Sequence, residues 1–306
     1  MAYNLDYDKR EPLTYSLMSL LLNCPRAYYY RTVLGYERRK TETLELGTAF
    51  HKGIEEGSPS AAVDYLEEEA NIYDQYQQNE LIVLKAIAHG MVAGALKYWD
   101  HESEESIPEG EFAIPIINPA SGHPSRKYYL TGKWDEVKKV DGRWRLTEYK
   151  TMGQTPNEAF ADKLLLDTQI TLYWYAAQKY NDIDIEEIQY RVARKPSIRQ
   201  RKDETIRDYA SRIIEDYRLR PEFYFYEETI YRTSEDLEEF ERHLWSTVQL
   251  LNTLERGEFW PQNTSRCHLW YGKACDYMPL CLQEEDAKYL YEQSGDRTPE
   301  LEGEMF

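Results

Sequence analysis

The 306 residues are 42% hydrophobic and 14% aromatic, enough for one large domain or two small ones with a real core, which excludes a chain too polar to fold. With 37 Lys and Arg against 55 Asp and Glu the net charge is −18, which excludes a protein that grips polyanions by its overall field. No apolar run approaches the roughly 20 residues of a membrane span, and the opening MAYNLDYDKREPLTYS has no secretory-signal stretch, so a cytoplasmic chain without membrane contact is expected.

In chain order, the pattern predicts a helix over 14–33, with Thr14 as N-cap and Leu17, Leu20, Leu21 and Ala27 apolar. A second helix is expected over 42–56, where LGTAFHKGIEEG carries His51 and, one turn on, Glu55. A lone helical His is either a satisfied structural residue or a metal ligand. After Ser58-Pro59-Ser60, helices are expected over 61–72 and 81–99, then a strand over 111–117. The turn-rich NPASGHPS leads into KYYLTGKWDEVKKVDGRWRLTEYKT, two strands around Asp141-Gly142. A polar loop, TMGQTPNE, follows. Then come a helix over 167–180, a strand over 187–193, a helix over 203–219, a strand over 223–231 and a helix over 234–256. Ser234 reads as a simple cap for the last helix and not a capping box, since Leu237 stands three residues on. Helices on both sides of a small mixed sheet give an α/β (α+β) core. There is no internal repeat, no G-x-x-x-x-G-K-[ST] and no G-x-S-x-G.

The hairpin carries the sharpest signal. Asp-Gly between alternating runs marks a type I′ turn, because both central residues need positive φ. A two-residue turn pairs Val137 with Leu146 and Asp135 with Glu148, with Lys150 two residues further along the same face. Trp144 and Leu146 point the same way, so the face is apolar at one end and acidic at the other. Carboxylates opposed across a strand pair stand roughly 5 Å apart at Cβ and repel, the more so when buried. Either the hairpin is an exposed charged ribbon, or something positive sits between the two. Lys150 alone could serve; a divalent cation with oxygen ligands fits better.

Four cysteines are present. Cys24 lies in LLLNCPRAYYYRT; Cys267, Cys275 and Cys281 lie in SRCHLWYGKACDYMPLC. In a cytoplasmic chain they are either separate buried thiols or one tetrahedral site, for zinc or an iron–sulfur cluster. No C-x-x-C pair marks a common zinc finger. The charge is uneven. Residues 284–306 hold eight acids and two bases, whereas RVARKPSIRQRKDETIR, over 191–207, holds seven bases and two acids, and 26–40 is also basic. These runs are either solvated faces or a local groove for a polyanion. Gln169 and Tyr173, four apart in the 167–180 helix, read in isolation as an interior amide–phenol pair.

Taken together and in order, GTAFHKGIE at His51, GKWDEV at Asp135, LTEYKT with Glu148 and Lys150, and QITLY with Gln169 and Tyr173 resemble the RecB-like branch of the PD-(D/E)XK nuclease superfamily. One cysteine before this set and three after it, ending in ACDYMPLC, resemble the iron–sulfur variant of that branch, which includes the AddB nuclease domain, CRISPR-associated RecB-type exonucleases and phage homologues. The likeness runs from about Ser16 to Cys281. It implies a restriction-endonuclease-like core with a central mixed sheet flanked by helices, and a cluster region joining the two ends of the chain. The implied divisions are a helical segment at 1–40, a nuclease core at 41–256, a cysteine segment at 257–285 and an acidic tail at 286–306. His51, Asp135, Glu148 and the Tyr149 carbonyl would hold a catalytic Mg²⁺ or Mn²⁺. Lys150 would orient or activate water, its pKa lowered by burial and the neighbouring cation. Gln169 and Tyr173 would support the site and contact the strand. Cys24, Cys267, Cys275 and Cys281 would hold a [4Fe–4S] cluster, with zinc the alternative. The wider Cys267–Cys275 spacing and the acidic net charge depart from the pattern. The implied activity is a DNA exonuclease acting on single strands or duplex ends in recombination, repair or phage DNA processing. A helicase or recombination protein is the implied partner, and a bacterial or phage-infected cytoplasm the setting. A catalytically silent nucleic-acid-binding subunit and a zinc-stabilised scaffold are the other classes.

Overall fold

The computed structural model describes residues 9–38, 42–73, 78–99, 105–180, 183–268 and 274–293. Of the acidic tail, 294–306 lies outside the described residues, as do Arg39 and Lys40 of the basic stretch. The chain runs β1 (Glu11–Leu13), α1 (Tyr15–Asn23), α2 (Pro25–Tyr28), a π-helical turn (Tyr29–Val33), β2 (Tyr36–Arg38), α3 (Glu42–Glu55), α4 (Pro59–Tyr73) and α5 (Gln78–Tyr98). It continues through β3 (Glu105–Ile117), β4 (Pro124–Val140), β5 (Arg143–Met152), α6 (Glu158–Leu165), α7 (Thr168–Tyr180) and β6 (Ile185–Arg194). It closes with α8 (Ile206–Leu219), α9 (Pro221–Tyr224), β7 (Phe225–Ile230), α10 (Ser234–Gly257), α11 (Met278–Cys281) and β8 (Tyr291–Gln293).

Thr14 caps α1 by accepting the Leu17 N–H. The single helix expected over 14–33 is broken, because Pro25 has no N–H to donate and drives the preceding residue out of the α region. Cys24 is accordingly extended, at φ −160° and ψ 106°. Two further expectations change. Asn157, in the expected polar loop, caps α6 by accepting the Phe160 N–H. And α10 does start on a capping box, one residue earlier than Ser234: Thr233 and Asp236 satisfy each other's backbone N–H groups.

The six-stranded sheet is mixed, and β4 is its spine. β3 runs antiparallel along one edge of β4. The other edge is shared. At one end β1 pairs in parallel with Tyr128, Tyr129 and Leu130; at the other β5 pairs antiparallel with 136–140. The turn between β4 and β5 has Asp141 at φ 53° and Gly142 at φ 76°, as an Asp-Gly hairpin requires. Val137 opposes Leu146, as expected, but the ladder ends at Glu136 opposite Thr147, one pair short of Asp135 and Glu148. Beyond that point β5 leaves β4 and continues alongside β6, in parallel, and β6 pairs antiparallel with β7. The sheet therefore forks where the acidic residues stand.

Helices cover both faces. On one, Leu146, Ile188 and Val192 pack against α1, α7 and α10, through Leu17, Leu21, Ile170, Leu244 and Val248. On the other, Tyr149, Ala193 and Phe225 pack against α3, α5 and α8, through Phe50, Met91, Ile213 and Tyr217. Each such side chain contributes about 1.5–3 kcal/mol by leaving water. Leu130, Trp134 and Val137 all join the first core, although strict alternation would send Val137 to the other face, so β4 changes parity just where Asp135 lies.

By length and composition α5 could cross a bilayer, against the expectation that no segment comes near that. Here it is a core helix, packed between α4 and α8 with Leu84, Ala88, Met91, Val92 and Ala95 buried. Gly90 and Gly94 permit the contact. A Cβ on Gly90 would stand 2.7 Å from Tyr217, and one on Gly94 2.6 Å from Phe225.

Candidate active site

Asp135 and Glu148 sit at the fork. With no partner strand opposite it on β5, Asp135 takes the Tyr149 N–H on Oδ2 at 2.7 Å. Its Oδ1 lies 3.2 Å from His51 Nδ1, brought in by α3. Glu148 is 2% exposed. One of its oxygens accepts from the Lys150 ammonium, while Oε2 is buried with no hydrogen-bond partner.

The charges balance one another. Burial pushes the Glu148 carboxyl up to about 7; Lys150 pulls it back and Asp135 adds to the rise. Burial would also raise the Asp135 carboxyl, but His51, Lys150 and the Tyr149 N–H together hold it below the usual range. Burial works against a proton on His51, and Asp135 outweighs it, so the imidazole is more basic than usual. Among the protein groups alone, Glu148 and Asp135 outweigh burial and raise Lys150, whereas the lowering expected for it includes a neighbouring cation.

α7 contributes Gln169 and Tyr173. Asp167 Oδ1 accepts the N–H groups of Gln169 (2.8 Å) and Ile170 (3.2 Å), which closes the helix start. The Gln169 amide donates to the Tyr173 hydroxyl at 2.8 Å. Burial and the charge of Glu148 raise the Tyr173 phenol. The structure thus brings together His51, Asp135, Glu148, Lys150, Gln169 and Tyr173.

Tyr149 serves the site through its backbone, and its ring turns to the reverse face. There its hydroxyl donates to Glu136 (3.1 Å) and accepts from Arg191 (3.2 Å). Arg191 is 1% exposed, paired with Glu227 and stacked 5.4 Å from Trp99. Sequence reasoning missed Tyr15 and Tyr190, whose phenols burial raises and which feel the charges of both Glu148 and Lys150. Tyr190 stands opposite Glu148 in the β5–β6 register; only a parallel register, which no turn fixes, would have disclosed it.

The profile of the PD-(D/E)XK nuclease superfamily matches residues 12–282. The chain belongs to that superfamily. A solved structure of a Eubacterium rectale protein named "Putative exonuclease" shares its fold, with 12% identity over 87% of this chain and 91% of its own and a TM-score of 0.50. A second solved structure, SSO0001, has 12% identity over 71% of this chain and 80% of its own, at a TM-score of 0.30 too low to bear on the fold. No curated protein matches.

PD-(D/E)XK nucleases usually work on DNA with divalent metals such as Mg²⁺ or Mn²⁺. Among the described residues of this nuclease-superfamily chain, no three His, Cys, Asp or Glu side chains stand in ready metal-ligating geometry. The donor chemistry nonetheless fits a hard cation: a buried carboxylate oxygen on Glu148 lacks a partner, and Asp135 supplies a second carboxylate at the same fork.

The cysteines gather at the opposite end of α1. Cys24 at the break before α2, Cys267 after a 3₁₀ turn, Cys275, and Cys281 at the end of α11 line one small cavity of about 20 Å³. All four are free thiols. Burial, with Cys24 and Cys281 nearby, raises the Cys275 thiol. The basic run at 191–207 does not form a groove as a whole. Arg191 and Arg194 are buried, the latter donating to the Phe223 carbonyl; Arg199, Arg201, Lys202 and Arg207 are exposed. Arg26 likewise turns inward, donating to the Trp260 carbonyl at 2.7 Å.

Proposed function

We propose that the chain is a Mg²⁺- or Mn²⁺-dependent deoxyribonuclease, an exonuclease of the RecB-like branch acting on single strands or duplex ends in recombination, repair or phage DNA processing. The observation that carries this reading is the fork in the sheet, where Asp135, Glu148 and Lys150 meet and one buried Glu148 oxygen lacks a partner. Asp135, Glu148 and His51, with the Tyr149 carbonyl, would hold the cation. When bound, it supplies Lewis acidity at the phosphodiester and neutralises its charge. The chain's own residues do the rest. Lys150, beside Glu148, orients the attacking water and stabilises charge on the phosphate. His51 braces Asp135, and Gln169 with Tyr173 contacts the strand.

The four cysteines at one cavity support a [4Fe–4S] cluster that ties the start of the chain to its end. Anaerobic purification separates the cases. A brown protein with broad visible absorption supports the cluster, and a colourless one with stoichiometric zinc replaces it.

End-labelled single- and double-stranded DNA, with Mg²⁺ or Mn²⁺, tests the activity. Asp135→Ala and Lys150→Ala are expected to abolish cleavage while folding persists. Full activity in both variants would remove the catalytic assignment.

A further inference from the structure

Arg232 lies between β7 and α10, and its guanidinium reaches across to the corner between α6 and α7. Nε donates to Thr171 Oγ1 at 2.8 Å. Nη2 donates to the main-chain carbonyls of Leu164 (3.0 Å) and Asp167 (3.2 Å). Thr171 Oγ1 in turn donates to the Asp167 carbonyl at 3.0 Å, and the Asp167 carboxylate caps α7. One planar fork thus serves three acceptors at the turn where α7 begins, which a lysine ammonium cannot reproduce.

Between its two core residues, Leu164 and Ile170, the corner is only partly covered. Leu165 is 62% exposed and Leu166 85%. In α6 only Leu164 is buried. Leu164 and Ile170 anchor the corner to the core by apolar packing, which is non-directional and leaves the defined start of α7 to polar contacts, and α7 is the helix that carries Gln169 and Tyr173 to the Glu148–Lys150 pair.

We propose that Arg232 is a positioning residue: through Thr171 and the Leu164 and Asp167 carbonyls it fixes the start of α7, and so the placement of Gln169 and Tyr173 beside the carboxylates. The inference rests on the nuclease reading for its effect on rate, but its geometric content can be tested without substrate.

Two gentle variants serve, Arg232→Lys, which keeps the charge, and Thr171→Val, which keeps the shape. In protein with ¹³C-labelled tyrosine, the Tyr173 ring resonance, assigned with Tyr173→Phe, is expected to shift in both variants. The Tyr217 resonance, on the far face of the sheet, stays in place. An unmoved Tyr173, or an equal movement of Tyr217, overturns the proposal whether or not the protein cleaves DNA. With an end-labelled strand and Mn²⁺, each variant is expected to lower kcat about 10- to 100-fold, the scale of an ångström-sized misplacement, with Mn²⁺ affinity unchanged. In a background that lacks both side-chain functions, Gln169→Ala with Tyr173→Phe, the same substitutions are expected to cost nothing further. Losses that multiply undiminished in that background would show that Arg232 acts elsewhere. No cleavage by the unsubstituted protein with either metal would sink the nuclease reading and leave the NMR result to decide the positioning role.

Discussion

The carboxylate fork and the cysteine cavity both join distant stretches of chain, but they are held in different ways. At the fork each charge already has a protein partner: His51 and the Tyr149 N–H for Asp135, Lys150 for Glu148. The carriers are two long strands of a sheet covered on both faces. The cysteines stand on short pieces: a helix break, a 3₁₀ turn and the four-residue α11, beside the three-residue β2–β8 ladder and the stacked Tyr277 and Tyr291. Thiols offer one another no attraction, and burial makes the Cys275 thiolate harder to form. A site built from mutually balancing charges can be organised by the protein alone. A site built from thiols would draw its order from a bound metal or cluster, so the binding proposed there would count as folding energy.

The largest effect that sharpens this contrast is on rate. Asp135→Ala should lower metal-dependent cleavage by at least ~10²-fold, with a circular dichroism spectrum like that of the unsubstituted chain. Next comes Cys275→Ser, which should lower both iron content and melting temperature by several degrees (about 1 kcal/mol shifts a chain of this size by a few degrees or less) and leave Mn²⁺ affinity at the fork alone. An unchanged melting temperature with unchanged iron would erase the distinction between the two regions.

A smaller effect lies in pH. The Glu148 carboxyl is raised in the folded protein to about 7 from its ordinary 4.5, so folding favours its protonated form. That contribution is fully present below about 4.5 and is lost as pH rises through about 7. Metal-free protein should therefore lose stability across that window relative to Glu148→Gln, and Mn²⁺ should restore it. Parallel stability–pH curves for the two proteins would contradict the buried, strained carboxylate. The smallest effect concerns the reverse face. Tyr149→Phe removes the hydroxyl between Glu136 and Arg191 and should cost about 1–2 kcal/mol in urea denaturation. A change within error would mean that Arg191 and Glu227 hold that face unaided.

Local chemistry was readable wherever a short signal settles geometry. Asp141-Gly142 announced the hairpin and the Val137–Leu146 register, and Thr14 its cap. Proline was equally plain as a signal, yet reading 14–33 as one helix passed over Pro25, whose break is what turns Cys24 toward the cavity. Non-local facts were not readable. Nothing in RVARK says that Arg191 lies under Trp99 instead of in a groove. The divergence of β5 from β4 depends on β1 and β6, strands far off in sequence, so the end of the ladder before Asp135 could not be foreseen. α6 is only eight residues long, shorter than the roughly 11–18-residue window in which a helical period stands out. The ordered set of residues from His51 to Tyr173 carried the resemblance; the fold explains why they meet.

One crystal tests the central claim most directly. Grown with Mn²⁺, with anomalous data collected at the manganese edge, it should show a peak bounded by the Asp135 and Glu148 carboxylates, with Lys150 still beside Glu148. Carboxylates turned away from each other, with no anomalous density at the fork, would contradict a metal-dependent nuclease site there.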